Sequence, residues 1–172
     1  MKHQEYERSI ALHRAFLEAN PDNALALYHL GYSYGQTGDH ENEVLYYEKA
    51  VAGGFEEGHI FFNMGMAYGE LDRMEDSIAA FRRAVEKDPR NPDNRFGLAI
   101  ACQRVGLDTE AEQELLKALE LQPGFLEARM YLALLYLDCG ERDRAREQLR
   151  KVLEKDPTND KARELMEGIG RE

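Results

Sequence analysis

The sequence superimposes on itself, without a gap, at a spacing of 34 residues. Leu27, Leu30, Gly31 and Tyr34 align with Phe61, Met64, Gly65 and Tyr68, then with Arg95, Leu98, Ala99 and Cys102, and finally with Arg129, Leu132, Ala133 and Tyr136. Further along each unit, Tyr47, Phe81, Leu115 and Leu149 share one column and Ala50, Ala84, Ala118 and Val152 another; three units close on Pro89, Pro123 and Pro157. A fixed period of this length means that each unit is one supersecondary element, which buries its apolar face only by stacking on its neighbours. Within each unit the apolar residues recur at helical spacing, so the units are predicted to be helical. The abundance of Ala, Leu, Glu and Arg, with only 5 prolines among 172 residues, agrees with an all-α chain.

Each column has a physical reason. Gly31, Gly65, Ala99 and Ala133 are small enough to let the two helices of one hairpin approach closely, and Ala50, Ala84 and Ala118 do the same from the second helix. Gly38, Gly106 and Gly140 suit helix C-caps, Asp72 with Glu75 reads as a capping box, and Asn91-Pro92 reads as an N-cap followed by a first-turn proline. These signals leave helices of about 12 to 14 residues, roughly 20 Å each. Before the first unit, Tyr6, Ile10, Phe16 and Leu17 are spaced as on a helix that ends at Asn20-Pro21, like the second helix of a hairpin. After the last unit, Asp160 to Gly168 reads as a short amphipathic helix covering the final hairpin. Gly53-Gly54-Phe55 stands where the other units have an Asp-Pro or Gln-Pro turn, and a weak joint is expected there.

These residues resemble the tetratricopeptide repeat, whose 34-residue signature runs through a large apolar residue, Leu-Gly, Tyr, Ala, Phe and Pro. The departures are local: Glu43 stands at a small-residue position, Arg95 and Arg129 replace the apolar opener, and Phe55 replaces the closing proline. The resemblance implies a right-handed α-solenoid of four helical hairpins, flanked by an N-terminal helix and a C-terminal capping helix. The boundaries are an N-terminal helix or partial repeat over 1–23, repeats over 24–57, 58–91, 92–125 and 126–159, and a cap over 160–172, forming a single domain over 1–172.

Composition narrows the function. Residues 1–86 carry 7 basic and 15 acidic side chains, net −8, and residues 87–172 carry 15 and 18, net −3. This balance argues against nucleic acid and anionic lipid as partners. Cys102 and Cys139 form no CxxC, have no nearby His, and read as small core residues. No apolar run reaches the roughly 20 residues that span a bilayer, and Met1 to Ser9 is too polar for a signal peptide, so a cytoplasmic location is expected. A catalytic constellation is not recognisable. Of the five histidines only His29 and His59 fall on first helices, without a carboxylate or thiol at ligand spacing, and they read as polar rim residues. The acidic pair Glu110 and Glu114 reads as outer-face carboxylates near a helix start, and the basic run Arg142 to Lys151 as a solvated face. No enzyme activity, metal or cofactor is expected.

The resemblance further implies that the first helix of each hairpin lines a concave face. One such column holds Tyr28, Phe62, Phe96 and Met130, and the next, one turn on, holds Tyr32, Met66, Ile100 and Leu134. Some family members clamp a peptide's C-terminal carboxylate with Asn and Lys or Arg on these helices. Asn63 matches one clamp position, but Tyr28, Asp93 and Gly97 occupy the basic positions and Tyr32 the second Asn position, which argues against carboxylate capture. Two readings of the apolar columns stand side by side. They pack between adjacent helices as core, or they form a groove for an apolar or amphipathic partner segment, whose basic flanks would meet Glu70, Asp93, Glu127 and Asp138. The expected function is a protein-binding scaffold; the alternatives are a self-assembling homo-oligomeric module or a regulatory piece of a larger protein.

Overall fold

The computed structural model describes residues 2–170 and, among them, ten α-helices: α1 (Lys2–Ala19), α2 (Ala24–Thr37), α3 (His40–Ala52), α4 (Gly58–Glu70), α5 (Met74–Lys87), α6 (Pro92–Arg104), α7 (Asp108–Leu121), α8 (Leu126–Asp138), α9 (Arg142–Lys155) and α10 (Asp160–Gly170). The helices α2, α4, α6, α8 and α10 start at residues 24, 58, 92, 126 and 160, one repeat apart. The chain forms two compact units, Met1–Pro89 and Arg90–Glu172. The first holds α1 to α5 and the second α6 to α10.

Within each unit the hairpins α2/α3, α4/α5, α6/α7 and α8/α9 close through the small-residue column. A methyl group on Gly31 would stand 2.7 Å from the Tyr47 ring, and one on Gly65 2.8 Å from the Phe81 ring, so the paired helix lies as near as a residue without a side chain permits. The buried Ser77 hydroxyl donates to the Gly65 carbonyl at 2.7 Å across the same contact. Leu30, Tyr47, Ala50, Ile60 and Phe61 fill the core of the first unit, and Leu115, Ala118, Leu132, Leu149 and Val152 that of the second.

The turns inside the hairpins share one geometry. The amide of the residue after the turn donates to a carbonyl on the last turn of the first helix, as Asp39 to Tyr34, Arg73 to Tyr68, Leu107 to Cys102 and Glu141 to Tyr136. This closure requires a left-handed residue, supplied by Gly38, Gly106 and Gly140 at φ 82, 77 and 76°. In the second hairpin Asp72 takes that place at φ 56°. The expected capping box from Asp72 to Glu75 is therefore not formed: Arg73 stands at the N-cap of α5 without a side-chain cap. Asn23 and Asp39 do cap their helices, and Asn91 accepts from the Asp93 amide with Pro92 in the first turn of α6, as the sequence predicts.

Three residues in unexpected places are explained by local partners. Arg95, at the apolar opener position, donates to Glu114 at 2.8 Å, and one repeat later Arg129 donates to Gln148 at 3.1 Å and to the Pro123 carbonyl at 2.8 Å. Glu114 is thus buried rather than on the outer face, drawn inward by the guanidinium. Glu43 is also buried, stacked over Gly35, where an added methyl would collide with its carboxylate. The two cysteines part company: Cys102 is buried as expected, whereas Cys139, at the end of α8, is exposed rather than in the core.

Candidate functional site

In the first unit the exposed residues of α2 are Leu25, His29, Tyr32 and Gln36, a single stripe at spacings of three and four. On α4 the open positions are His59, Met66 and Glu70, with Phe62 and Asn63 half-buried between them. The two apolar columns separate here. In the first, Tyr28 is half-buried: its ring stacks on Phe55 at 4.8 Å and on Tyr47 at 5.7 Å, and meets His59 edge-on at 5.0 Å. Phe62 packs edge-on against Phe81 at 5.5 Å. In the second, Tyr32 is 39% exposed and Met66 49% exposed.

Burial pushes the Tyr28 phenol above its ordinary range, neighbouring Tyr32 adds to this, and a hydrogen bond with Asn63 opposes it. Tyr47, fully buried below, is raised further, by burial first and then by the charge of Glu43. Both stay neutral phenols. The His29 imidazole is held below its usual range by burial and then by the neighbouring His13 and His59, which favours its uncharged form at neutral pH. Tyr6 of α1 meets Tyr32 edge-on at 6.3 Å and extends the aromatic surface onto the N-terminal helix.

In the second unit the columns are more enclosed. Phe96 packs against Phe125 at 5.0 Å and edge-on against Tyr131 at 5.2 Å, and Ile100, Met130 and Leu134 are all half-buried. Asp93, Glu127 and Asp138 are exposed beside them, with the Gln103 amide 3.5 Å from Asp138.

Tyr28 and Phe96 occupy the same position of their repeats, and each plugs the space formed by the next hairpin. Of the two apolar columns, the second carries exposed large side chains in the first unit, Tyr32 and Met66. Leu25, 52% exposed, belongs with them although it lies outside both columns read in the sequence; its position, one turn before His29 on a helix without a charged residue, is the signal that marks it. Among the described residues no three His, Cys, Asp or Glu side chains converge as a metal-ligand set, and no helix is long and apolar enough to cross a membrane.

Solved structures share this architecture. A protein described as YrrB, "a TPR protein with an unusual peptide-binding site", is 25% identical, with 95% of this chain and 84% of that one covered at a TM-score of 0.87. MamA is 25% identical over 92% of each chain, also at 0.87. TTC0263, a thermophilic TPR protein of Thermus thermophilus, is 24% identical with 95% and 90% covered at 0.69, and shares the fold. A comparison with curated protein sequences gives no match. One tetratricopeptide repeat profile matches residues 1–56 and 62–124, and a second matches residues 109–169. The hairpins, the 34-residue register of helix starts and these matches agree: the chain belongs to the tetratricopeptide repeat family, an all-α scaffold for contacts between proteins.

Proposed function

We propose that this protein is a non-catalytic scaffold that receives an apolar or amphipathic segment of a partner protein on the first-helix face of its N-terminal unit. The observation that carries this reading is the pair Tyr32 and Met66, one repeat apart and 39% and 49% exposed. Large side chains repeated on one face of a helical fold, with an aromatic floor beneath them, are a surface that a second chain covers. Tyr28, Phe62 and Asn63 form that floor, and Leu25 extends the row. Phe96, Ile100, Met130 and Leu134 offer a shallower counterpart on the second unit. The carboxylates of Glu57 and Glu70 favour a partner with Lys or Arg beside its apolar anchors. The likeness to a protein described by its peptide-binding site supports a peptide-like partner.

The test uses the exposed pair rather than the packed column. Selection from a displayed random-peptide library should enrich apolar sequences with basic flanks. Tyr32→Ser with Met66→Ser should weaken the selected peptides by about tenfold or more, each anchor being worth roughly 1 kcal/mol or more of burial, with the melting temperature nearly unchanged. Phe62→Ser should instead unfold readily, losing about 3 kcal/mol, because its ring packs on Phe81. Selected peptides that bind the Tyr32/Met66 double variant as tightly as the parent would overturn the reading.

A further inference from the structure

Between α1 and α3 the first unit keeps an open cavity of about 690 Å³ that shares no residue with the Tyr32/Met66 row. Leu17, Leu27, Leu30 and Tyr46 give it an apolar floor. Four charged side chains stand around them: Arg14 and Glu18 from α1, Asp22 from the turn after it, and Lys49 from α3. The two cations are engaged with aromatic rings. Arg14 lies over Tyr34 at 5.9 Å and Lys49 over Tyr46 at 5.0 Å, and the two tyrosines stack on each other at 5.4 Å. Glu18 and Asp22 are exposed and in no ion pair among the described residues.

The next repeat shows what fills such a groove. One period on, Asp22, Leu27, Lys49 and Gly53 correspond to Glu56, Phe61, Arg83 and Lys87. There the Arg83 guanidinium lies over the Phe61 ring at 4.0 Å and donates to Glu56 at 3.4 Å, and Lys87 donates to the same carboxylate at 2.8 Å. An arginine laid across the apolar opener, with its head on the carboxylate of the preceding turn, is the repeat's own closure. The first repeat lacks both cations that make it. Gly53 replaces the lysine, and Lys49 is drawn onto Tyr46, which stands where the second repeat has Ala80. Asp22 keeps the acceptor and Leu27 the apolar seat, and the cavity lies between them.

We propose that this groove receives an arginine side chain of a partner protein, its methylenes over Leu17 and Leu27 and its guanidinium on Asp22 and Glu18. The planar guanidinium has donors for two carboxylates at once and sheds its water more readily than a lysine ammonium, so arginine is preferred over lysine. The cavity exceeds one side chain, and apolar neighbours of the arginine enter with it against Leu30 and Tyr46. An acidic segment fits worse. It would have to draw Arg14 and Lys49 off their rings and pass Glu18 and Asp22, in a unit with 8 basic and 16 acidic side chains.

The test is a titration of the isotope-labelled intact protein with the capped tripeptide acetyl-Leu-Arg-Leu-amide, followed by amide chemical shifts. Saturable shifts are expected at Leu17, Leu27 and Leu30, with a Kd on the order of a millimolar, since the contact is short and its ion pairs are exposed. The same peptide with citrulline in place of arginine keeps the shape and loses the charge, and should bind about fivefold more weakly or worse. Asp22→Asn with Glu18→Gln should weaken the arginine peptide to the citrulline level and leave the citrulline peptide unaffected; both positions are exposed, so the fold is retained. Asp22→Glu with Lys49→Arg copies the second repeat. It should close the groove with the protein's own guanidinium and abolish the shifts, without lowering the thermal melt. The proposal is overturned by the absence of saturable shifts at those three residues, by equal affinity for the arginine and citrulline peptides, or by full affinity for either double variant.

Discussion

Asp72 carries a conformational load that three glycines avoid. All four hairpins close through a left-handed residue after the first helix, and Asp72 alone does so with a side chain, at φ 56°. Aspartate tolerates this region better than most residues, yet the cost relative to glycine remains on the order of 1 kcal/mol. Asp72→Gly should therefore raise stability by roughly 0.5 to 1 kcal/mol, read as a higher urea midpoint with an unchanged slope; a lower midpoint would mean that its surface contacts outweigh the backbone. Glu43 is strained electrostatically instead. Burial raises its pKa, the hydrogen bond from His40 at 2.8 Å partly offsets this, and the nearby charge of Glu70 adds to the rise. A carboxyl whose folded pKa lies above the unfolded value binds its proton more readily when folded, so stability falls as pH rises from the unfolded value through the folded one. Glu43→Gln keeps an acceptor for His40 and removes the charge. It should stabilise the protein at pH 7, and the difference should shrink toward zero below the ordinary carboxylate range. An equal gain at both pH values in denaturant titrations would show that desolvation of the carboxylate is not the cause.

Helix pairs show how a departure from the repeat is absorbed by its partner element. Arg95 on α6 and Arg129 on α8 stand where α2 and α4 carry Leu27 and Phe61, and each reaches the same position of its paired helix, Glu114 on α7 and Gln148 on α9. Glu114 also receives Lys117 at 2.6 Å, so its carboxylate balances two cations in a site where little of it is exposed. Glu114→Ala leaves the Arg95 guanidinium half in the core without its principal acceptor and should cost about 2 to 3 kcal/mol. Glu114→Gln, which copies the Arg129–Gln148 pair already present one repeat later, should cost less than half as much. Equal losses for the two variants in thermal melts would show that packing volume, not the acceptor, matters. This compensation is not legible in the sequence, because a column of small and apolar residues fixes which face is buried but not which polar side chain from the next helix reaches it. The Gly53-Gly54-Phe55 turn shows the same limit. Phe55 stacks on Tyr28 there and Lys87 reaches Glu56 at 2.8 Å, contacts that the order of residues does not display. What the repeat does expose directly is the helix register, since Gly31 and Gly65 have to sit against large rings wherever the hairpin closes.

At the scale of the chain, the period predicts every first-helix start from Ala24 onward, but the candidate face is only half legible. Tyr28, Tyr32, Phe62 and Met66 all share the groove columns of the sequence, and nothing in their order says that Tyr28 and Phe62 fill gaps between helices while Tyr32 and Met66 stay open. That distinction depends on how far a neighbouring helix leaves a gap, which is a property of the packed hairpins. Charge, by contrast, is readable without a structure. The compact unit Met1–Pro89 holds 8 basic and 16 acidic side chains, net −8, and the unit Arg90–Glu172 holds 14 and 17, net −3. A partner segment with apolar anchors and Lys or Arg flanks should be steered to the N-terminal unit by a field that acts before contact. Raising ionic strength from about 0.05 to 0.5 M shortens the screening length from roughly 14 to 4 Å, so steering is lost while burial of the anchors is not. Association with a selected peptide carrying basic flanks should therefore slow by about tenfold or more across this range, with dissociation changing by less than about threefold. A version of the peptide with its basic flanks replaced by Ser should show little salt dependence in either rate. Surface plasmon resonance on both peptides separates the two contributions: salt that accelerates dissociation and leaves association untouched would place the charges inside the contact, and would remove the N-terminal acidic field from the account of partner choice.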